Sequence, residues 1–161
     1  MLKSYSRWIR AAAGSWTISG LITADAGLPY SVLDGGDNSF TGLGHDMADI
    51  VYGVSPTAGS TELRKLNYAA FTNNAPGTYG NSGRNTFRSD PIVNVDLALM
   101  KTFPVVTEWT QLTFRAEAFN ALNHPNFYAP NADYNSGPLN FGVITGARDP
   151  RILQLALKLN F

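Results

Sequence analysis

The chain ends in RILQLALKLNF, a stretch in which apolar side chains alternate with polar or small ones. The apolar set occupies every second position and ends on an aromatic: Leu153, Leu155, Leu157, Leu159 and Phe161. A two-residue period puts these side chains on one face of a β-strand, whereas a helix would space them three and four residues apart. Such a face packs on a core in a soluble protein and contacts lipid in a transmembrane barrel, and the period alone leaves both open.

The charge composition argues against a nucleic-acid-binding protein and indicates a β-rich or envelope protein. The 161 residues include 12 basic and 12 acidic side chains, for a net charge of zero. A nucleic-acid-binding protein would normally carry a basic surface, so we expect no nucleic acid among the partners. Charged residues make up only 15% of the chain and aromatics 12%, where about 25% charged is typical of soluble domains. This composition is typical of a β-rich or envelope protein.

Three further absences in the sequence limit its chemistry and its route to a membrane. The chain contains no cysteine, which excludes disulfides and thiolate metal sites. No apolar run approaches the roughly 18 residues that a membrane helix needs. The first residues, MLKSYSRWIRAAAG, lack the apolar segment of a secretory signal, so we expect no export signal in this chain.

Alternation of apolar and polar residues recurs in three other stretches. Together with the last stretch they predict four strands of a length that crosses a bilayer at a tilt, near 15–25, 92–103, 109–120 and 151–161. This pattern predicts an all-β, antiparallel fold.

The connections between these strands alternate in length. Long connections rich in Gly, Asn, Asp and Pro occupy 34–91 and 121–150, and only a short link separates the second and third strands. Short turns on one side and long loops on the other are typical of outer-membrane barrels. A connection as long as 34–91 indicates function or disorder. Within it, TELRKL at 61–66 predicts a short helical turn.

The run FRAEAFNALNHPNF at 114–127 resembles the strand and loop near the C-terminus of TonB-dependent outer-membrane receptors, in particular the Oar-like receptors with a carboxypeptidase-regulatory-like domain. Other similar pieces follow the expected order from residue 14 to the end: SWTISGLITADAGLPYSV, AAFTNNAPGTYGNSGRNTFRSDP, NVDLALMKTFP, FGVITGARDPR and LQLALKLNF. The resemblance implies an incomplete transmembrane barrel of about four long strands, with two long extracellular loops and a place in the bacterial outer membrane.

The resemblance also implies function and partners. It implies the C-terminal part of a receptor for solute uptake that is not transport-competent alone. The implied partners are outer-membrane lipid, the remaining strands and plug of the receptor, the barrel-assembly machinery, and the TonB system through an N-terminal part that this chain lacks. The alternating terminal strand with Phe161 is implied to be the signal read by the assembly machinery.

The barrel model predicts where individual side chains lie. Charges are expensive on a lipid face, so four are expected in the lumen: Asp96, Arg115, Glu117 and Lys158. They are expected to pair with one another across the strands. Lys101 falls on the apolar face near a strand end and is expected to extend to lipid headgroups. Three aromatics at strand ends are expected in an aromatic belt: Trp16, Phe103 and Trp109.

The sequence offers no catalytic motif and no convincing metal site. His45, Asp46 and Asp49 lack tight ligand spacing, and the DGGDNS stretch at 34–39 lacks the full calcium-loop pattern. His124 precedes a proline in a loop, where a turn role is expected. We therefore expect no enzyme activity and no cofactor.

Two alternatives remain open. One is a soluble β-sandwich module that binds a ligand such as carbohydrate, and the other is a small adhesin-like barrel built by oligomerisation. A sandwich would more often show turns of similar length at intervals of about 8–12 residues.

Overall fold

The computed structural model describes residues 14–104 and 110–161. Trp109, assigned above to the aromatic belt, and the link at 105–108 lie outside the described residues. No helix in the described part is long and apolar enough to cross a membrane. Its only helical segments are two short 3-10 turns, Tyr68–Ala70 and Tyr134–Ser136.

Eight strands make up the regular structure of the described residues. In chain order they are β1 (Trp16–Asp25), β2 (Pro29–Tyr30), β3 (Asp49–Ile50), β4 (Phe71–Thr72), β5 (Phe87–Arg88), β6 (Ile92–Pro104), β7 (Gln111–Phe119) and β8 (Ile152–Asn160). The four long strands form one open sheet in the order β1-β6-β7-β8, and the short strands pair as β2 with β5 and β3 with β4. The predicted fold class, all-β with an antiparallel, unclosed barrel segment, is confirmed.

The register of the long sheet sorts its side chains by polarity. Phe114 on β7 pairs with Leu157 on β8, and two residues further along Ala116 pairs with Leu155. Between these pairs, Arg115 points to the opposite face. The apolar positions of neighbouring strands therefore lie side by side on one face, and the charged positions other than Lys101 lie on the opposite face.

The apolar face of this sheet is not covered by any other part of the described chain. Ile18 on β1 remains 76% exposed and Leu155 on β8 remains 73% exposed. A soluble sheet buries such a face because each large aliphatic side chain contributes about 1.5–3 kcal/mol when it leaves water. The face is therefore free to be covered by apolar groups that do not belong to the described chain.

The chain divides into two compact units. The sheet unit contains the described residues of 1–24, 93–125 and 149–161, and the loop unit contains 25–92 and 126–148. Both long connections thus contribute to one loop unit, which has a core of its own. Its buried apolar residues are Val32, Ala48, Leu66, Ala70, Phe71 and Phe141. No periodic pattern in the sequence predicted this core.

Aromatic contacts stabilise the core of the loop unit. Phe71 and Phe141 meet edge to face with centroids 5.3 Å apart, while Tyr68 and Tyr134 stack at 4.5 Å. Pairs of this kind contribute about 0.5–1.5 kcal/mol beyond their buried area. A hydrogen bond with Tyr68, together with burial, raises the pKa of Tyr134 to about 12. The core joins aromatics that are far apart in the sequence.

The helical turn predicted at 61–66 is wrong. These residues form a bend followed by a bridge between Arg64 and Val143. The Lys65 N–H donates to the Gly142 carbonyl at 2.8 Å, and the Ile144 N–H donates to the Leu63 carbonyl at 2.8 Å. The first long connection therefore pairs with the second through its main chain. Long-range hydrogen bonds override the local helix preference of the sequence.

Candidate functional site

The four charges predicted to face a lumen share one face of the long sheet. Arg115 and Glu117 lie two residues apart on β7, and Lys158 on β8 pairs with Thr113 on β7. Asp96 lies on the same face of β6. Arg115 Nη2 donates to Glu117 Oε1 at 2.6 Å, which is a short, charge-assisted bond. The pairing of these two charges is observed, and their position in a lumen stays a prediction.

A groove of about 450 Å³ lies on this charged face. Its lining comes from three strands: Met100, Thr113, Arg115, Glu117, Gln154, Ala156, Lys158 and Asn160. Charges of both signs stand among hydroxyl, amide and short side chains. Such a surface can hydrogen-bond water and polar solutes without strongly selecting for one sign of charge.

Asp96 has a different set of contacts from the cross-strand ladder that the sequence suggested. Its Oδ1 accepts hydrogen bonds from Asn94 Nδ2 at 2.8 Å and from the Asn120 main-chain N–H at 2.9 Å. These bonds connect β6 with the turn that follows β7. Asp96 therefore helps to fix the end of the strand pair.

A network of asparagines builds the turn after β7. Asn120 has φ of 47°, and its side chain donates to the carbonyls of His124 and Asp149 at 3.0 and 3.3 Å while accepting from the His124 N–H at 3.0 Å. Asn123, with φ of 52°, accepts from the Arg151 N–H at 3.0 Å. Asn adopts left-handed backbone more readily than other non-glycine residues. The network joins the start of the second long connection to its end.

Sequence reasoning missed these asparagines, although the repeated Asn in NALNHPN was a usable signal. Asparagines close to a strand end and a proline indicate a built turn rather than a variable loop. The turn role expected for His124 matches its main-chain hydrogen bonds to Asn120.

Lys101 does not extend to solvent or headgroups as expected. It is only 3% exposed, and its Nζ lies 4.8 Å from the ring centre of Trp16 and 5.0 Å from that of Phe103. Trp16 also meets Phe114 edge to face, with centroids 6.3 Å apart. Aromatic faces attract a cation strongly where water is excluded, so the two rings cover the ammonium group. The expectation that Lys101 extends to headgroups is therefore wrong.

Two buried carboxylates lie in the loop unit near the stretches considered for metals. Asp34 Oδ2 accepts from Asn38 Nδ2 at 2.6 Å and from Asn73 Nδ2 at 3.1 Å. Asp46 Oδ2 accepts from the Ser39 N–H at 2.6 Å. Hydrogen bonding from Ser39 lowers the pKa of Asp46, although burial opposes it. Neutral N–H groups thus satisfy both carboxylates, which fixes the local loops.

Within residues 14–104 and 110–161, no three His, Asp or Glu side chains are grouped so that they could hold a metal ion. His45, Asp46 and Asp49 accordingly do not form a cluster. The carboxylates of the DGGDNS stretch instead accept hydrogen bonds from their own loop; Asp37, for example, accepts from the Gly42 N–H at 2.7 Å.

Arg64, in the first long connection, hydrogen-bonds to the main chain of the second. Its guanidinium donates to the carbonyls of Pro138, Leu139 and Phe141 at 3.0, 2.9 and 3.0 Å. Three acceptors from one turn suit the fixed geometry of the guanidinium donors. Sequence reasoning gave no sign of this role, because the partners are carbonyls more than 70 residues away.

A comparison with protein families identifies the class of this chain. The family described as the outer membrane beta barrel domain matches residues 1–154. The chain belongs to this family. No curated protein and no solved structure matches the chain. Membership places the protein in the bacterial outer membrane, as the sequence analysis expected.

Membership in the outer membrane β-barrel family predicts the surroundings of the two sheet faces. The wall of such a barrel carries an apolar band toward lipid and a polar interior. The uncovered face with Ile18 and Leu155 fits the lipid side, and the face with Arg115 and Glu117 fits the interior.

The last strand of this barrel segment has a free edge. β8 pairs with β7 and no other described strand, and its large apolar side chains remain exposed. Phe161 lies just beyond the strand and is fully exposed. An unpaired edge with alternating apolar side chains can be read by β-augmentation. Recognition of Leu153, Leu155, Leu157, Leu159 and Phe161 by the assembly machinery stays a prediction.

Proposed function

We propose that this chain forms the C-terminal wall strands and extracellular loops of a TonB-dependent receptor of the Oar-like class, which takes up a solute across the outer membrane. The observation that favours this proposal most is the loop unit, in which both long connections share one buried core. A passive channel needs no such unit, whereas a receptor must hold its recognition loops in a defined shape.

The charged face of the sheet supports a wide interior. Small barrels fill their interiors with side chains, while large transporter barrels hold a plug or water. Here short side chains such as Ala98, Thr102 and Ala156 share the face with the Arg115–Glu117 pair. This face suits contact with a plug and with passing solute, and such contact is the proposed role of its charges.

The remaining partners follow from the same proposal. The other barrel strands would pair with the two free edges of the sheet, a plug would occupy the interior, and the TonB system would act on an N-terminal part of the receptor. The barrel-assembly machinery would read β8 during insertion. In this proposal the chain contributes structure and recognition and has no enzyme activity.

Swelling of proteoliposomes tests the proposal against a passive channel. The full-length protein is purified from outer membranes and reconstituted, and liposome swelling in small sugars is compared with that caused by a general porin. A plugged receptor should give no swelling. Swelling like that of the porin would contradict the proposal.

Genetics supplies the second arm of this test. Deletion of the gene and deletion of TonB should remove growth on the same limiting nutrient, and the double deletion should add nothing. Growth that depends on the gene but not on TonB would contradict the TonB-dependent part alone.

The soluble β-sandwich alternative is not supported by the exposure of the sheet. A sandwich buries the inner faces of both sheets in one core. Large side chains on the apolar face remain exposed on β1, β6 and β8, as Ile18, Leu97 and Leu155 illustrate. No observation on the described residues favours a separate small adhesin-like barrel.

A further inference from the structure

A phenylalanine of the loop unit combines two unfavourable features. Phe40 has a φ of 60°, in the left-handed region that bulky residues rarely adopt, and its side chain is 76% exposed. This backbone is strained for a residue other than glycine, and an exposed ring gains no packing in return. Strain that a fold retains at an exposed loop residue indicates a function for that residue.

Two carboxylates fix the main chain on both sides of Phe40. Asp37 accepts from the Gly42 N–H at 2.7 Å. Asp46 accepts from the Ser39 N–H at 2.6 Å. Because the main chain is held in advance, the ring loses less conformational freedom when it binds a ligand.

Two main-chain hydrogen bonds join a second loop to the first. The Gly77 N–H donates to the Asn38 carbonyl at 2.7 Å, and the Met47 N–H donates to the Tyr79 carbonyl at 2.9 Å. Tyr79 is itself 65% exposed. The two loops form one surface, which we call the aromatic end and which comprises 39–45 and 75–80.

The aromatic end carries no Asp, Glu, Lys or Arg. The flanking carboxylates, Asp37 and Asp46, accept hydrogen bonds from main-chain N–H groups. At Gly42 and Gly77, no atom of the described chain beyond the adjacent residues lies within 4 Å of the position that a Cβ would take. A ligand can therefore approach these peptide groups closely.

We propose that Phe40 binds an uncharged carbohydrate at the aromatic end, with the C–H face of one sugar ring on the phenyl ring. This inference rests on the proposed function, because it names the class of solute that the receptor takes up. The face of an aromatic ring is electron-rich and attracts the weakly positive C–H groups of a sugar. The open peptide groups at Gly42 and Gly77 can bond to its hydroxyl groups.

The absence of charge at the aromatic end favours a neutral sugar. A charged sugar would lose water around its charge on binding and would meet no side chain of opposite charge, which is costly. The absence of charge therefore selects against sugars that carry carboxylate or amino groups.

The sparse apolar surface argues against a protein partner. A stable protein interface buries about 800 Å² on each side and has a cluster of large side chains at its centre. At the aromatic end the exposed large apolar side chains are Phe40, Leu43 and Tyr79, and glycines separate them in the sequence. Such a surface matches one or two sugar rings better than a protein.

The test uses the full-length receptor purified in detergent and an array of neutral oligosaccharides, with oligogalacturonates as the charged comparison. The parent protein should bind neutral members of the array and should not bind oligogalacturonates. Binding of oligogalacturonates alone, or of no member of the array, would overturn the inference without the use of any variant.

Variants at Phe40 assign the binding to its ring. In calorimetry with the neutral oligosaccharide that binds best on the array, Phe40→Ala should weaken binding about tenfold, as expected for the loss of one aromatic contact. Phe40→Trp should keep the affinity. Tyr128→Ala removes an exposed aromatic of the second long connection and should bind like the parent. Parent-like affinity of Phe40→Ala would overturn the inference.

A glycine variant separates binding from folding. Phe40→Gly relieves the backbone strain, so its loops should resist protease better than those of Phe40→Ala, while its sugar binding should be equally weak. Parent-like sugar binding by Phe40→Gly would refute the role of the ring.

Failure of this inference can be told apart from failure of the proposed function, because calorimetry on the purified protein does not involve TonB. If the receptor supports TonB-dependent growth but binds no neutral sugar, the inference is wrong and the proposed function stands. If neutral sugar binds through Phe40 but growth is independent of TonB, the inference stands and the TonB-dependent part of the proposed function is wrong.

Discussion

At the scale of single residues, polar side chains that bond to the main chain hold the irregular parts in place. Asn120 makes four hydrogen bonds at a strand end, three through its side chain and one through its N–H. Arg64 binds three carbonyls of one turn, and Asp46 fixes the main chain at Ser39. In the irregular segments, these side chains bond the main-chain groups that strand pairing bonds within the sheet.

Substitution of Asn120 tests its two roles separately. Asn120→Ala loses the side-chain hydrogen bonds, at about 1 kcal/mol each, and adds roughly 1 kcal/mol of strain at positive φ. Asn120→Gly loses the same bonds without the strain, so it should destabilise the protein less. Urea unfolding of the full-length barrel in micelles measures both variants. Equal stability of the alanine variant and the parent would contradict the role given to Asn120.

The lowered pKa of Asp46 predicts a pH dependence of the loop unit. Because the folded-state pKa lies below the unfolded value of about 3.9, this contribution to stability is present above that value. It is lost as the pH falls through the folded-state pKa. Asp46→Asn should remove this part of the acid sensitivity. Protease resistance of the loops between pH 2 and pH 7 measures it, and parallel profiles for variant and parent would refute the prediction.

At the scale of elements, the long strands were predictable because a two-residue period is a local signal. β8 extends over Ile152–Asn160 where the sequence predicted 151–161, and β7 over Gln111–Phe119 where it predicted 109–120. Apolar and polar side chains alternate along each long strand, so its sequence alone reports which residues share a face.

The loop unit was not predictable in the same way. Its core joins residues such as Val32, Phe71 and Phe141, which follow no period and meet only in three dimensions. The same cause explains the error at 61–66, where pairing with the second connection decides the conformation. Lys101 was misplaced because its covering ring, Trp16, comes from a strand distant in sequence.

The end of β8 makes a prediction about assembly. Phe161 is 100% exposed and lies outside the strand, so its removal takes away no packing within the described chain. If the assembly machinery reads this aromatic, Phe161→Ala should lower the amount of receptor inserted, while the inserted fraction keeps normal heat resistance. Surface labelling and heat-modifiable gel migration measure the two quantities.

Leu139→Ala serves as the control for this variant. Leu139 lies in the second long connection and is 83% exposed, so its truncation should leave insertion unchanged. If Phe161→Ala inserts as well as Leu139→Ala and the parent, the terminal strand is only a wall strand and the assembly role fails.

At the scale of the whole molecule, the chain combines a sheet that needs a membrane with a loop unit that has its own core. This division predicts that the two units respond to different mutations. Phe71→Ala removes a buried ring from the loop core, at a cost of about 3–5 kcal/mol. It should make the loops of intact cells sensitive to protease without lowering insertion. Reduced insertion with protease-resistant loops would contradict the division into units.

In the proposed barrel, the face of β8 with Leu153, Leu155 and Leu157 contacts lipid, and the face with Gln154 and Lys158 contacts water. This chain contributes no native cysteine. Spin labels placed singly along β8 of the full-length barrel in bilayers, with any cysteine elsewhere in that barrel replaced, test this arrangement. Collision with oxygen should peak at the leucine positions, and collision with a water-soluble nickel complex should peak at the positions between them. A soluble sandwich would instead shield the leucine positions from both reagents. A profile without this two-residue alternation would show that β8 is not a strand of a barrel wall.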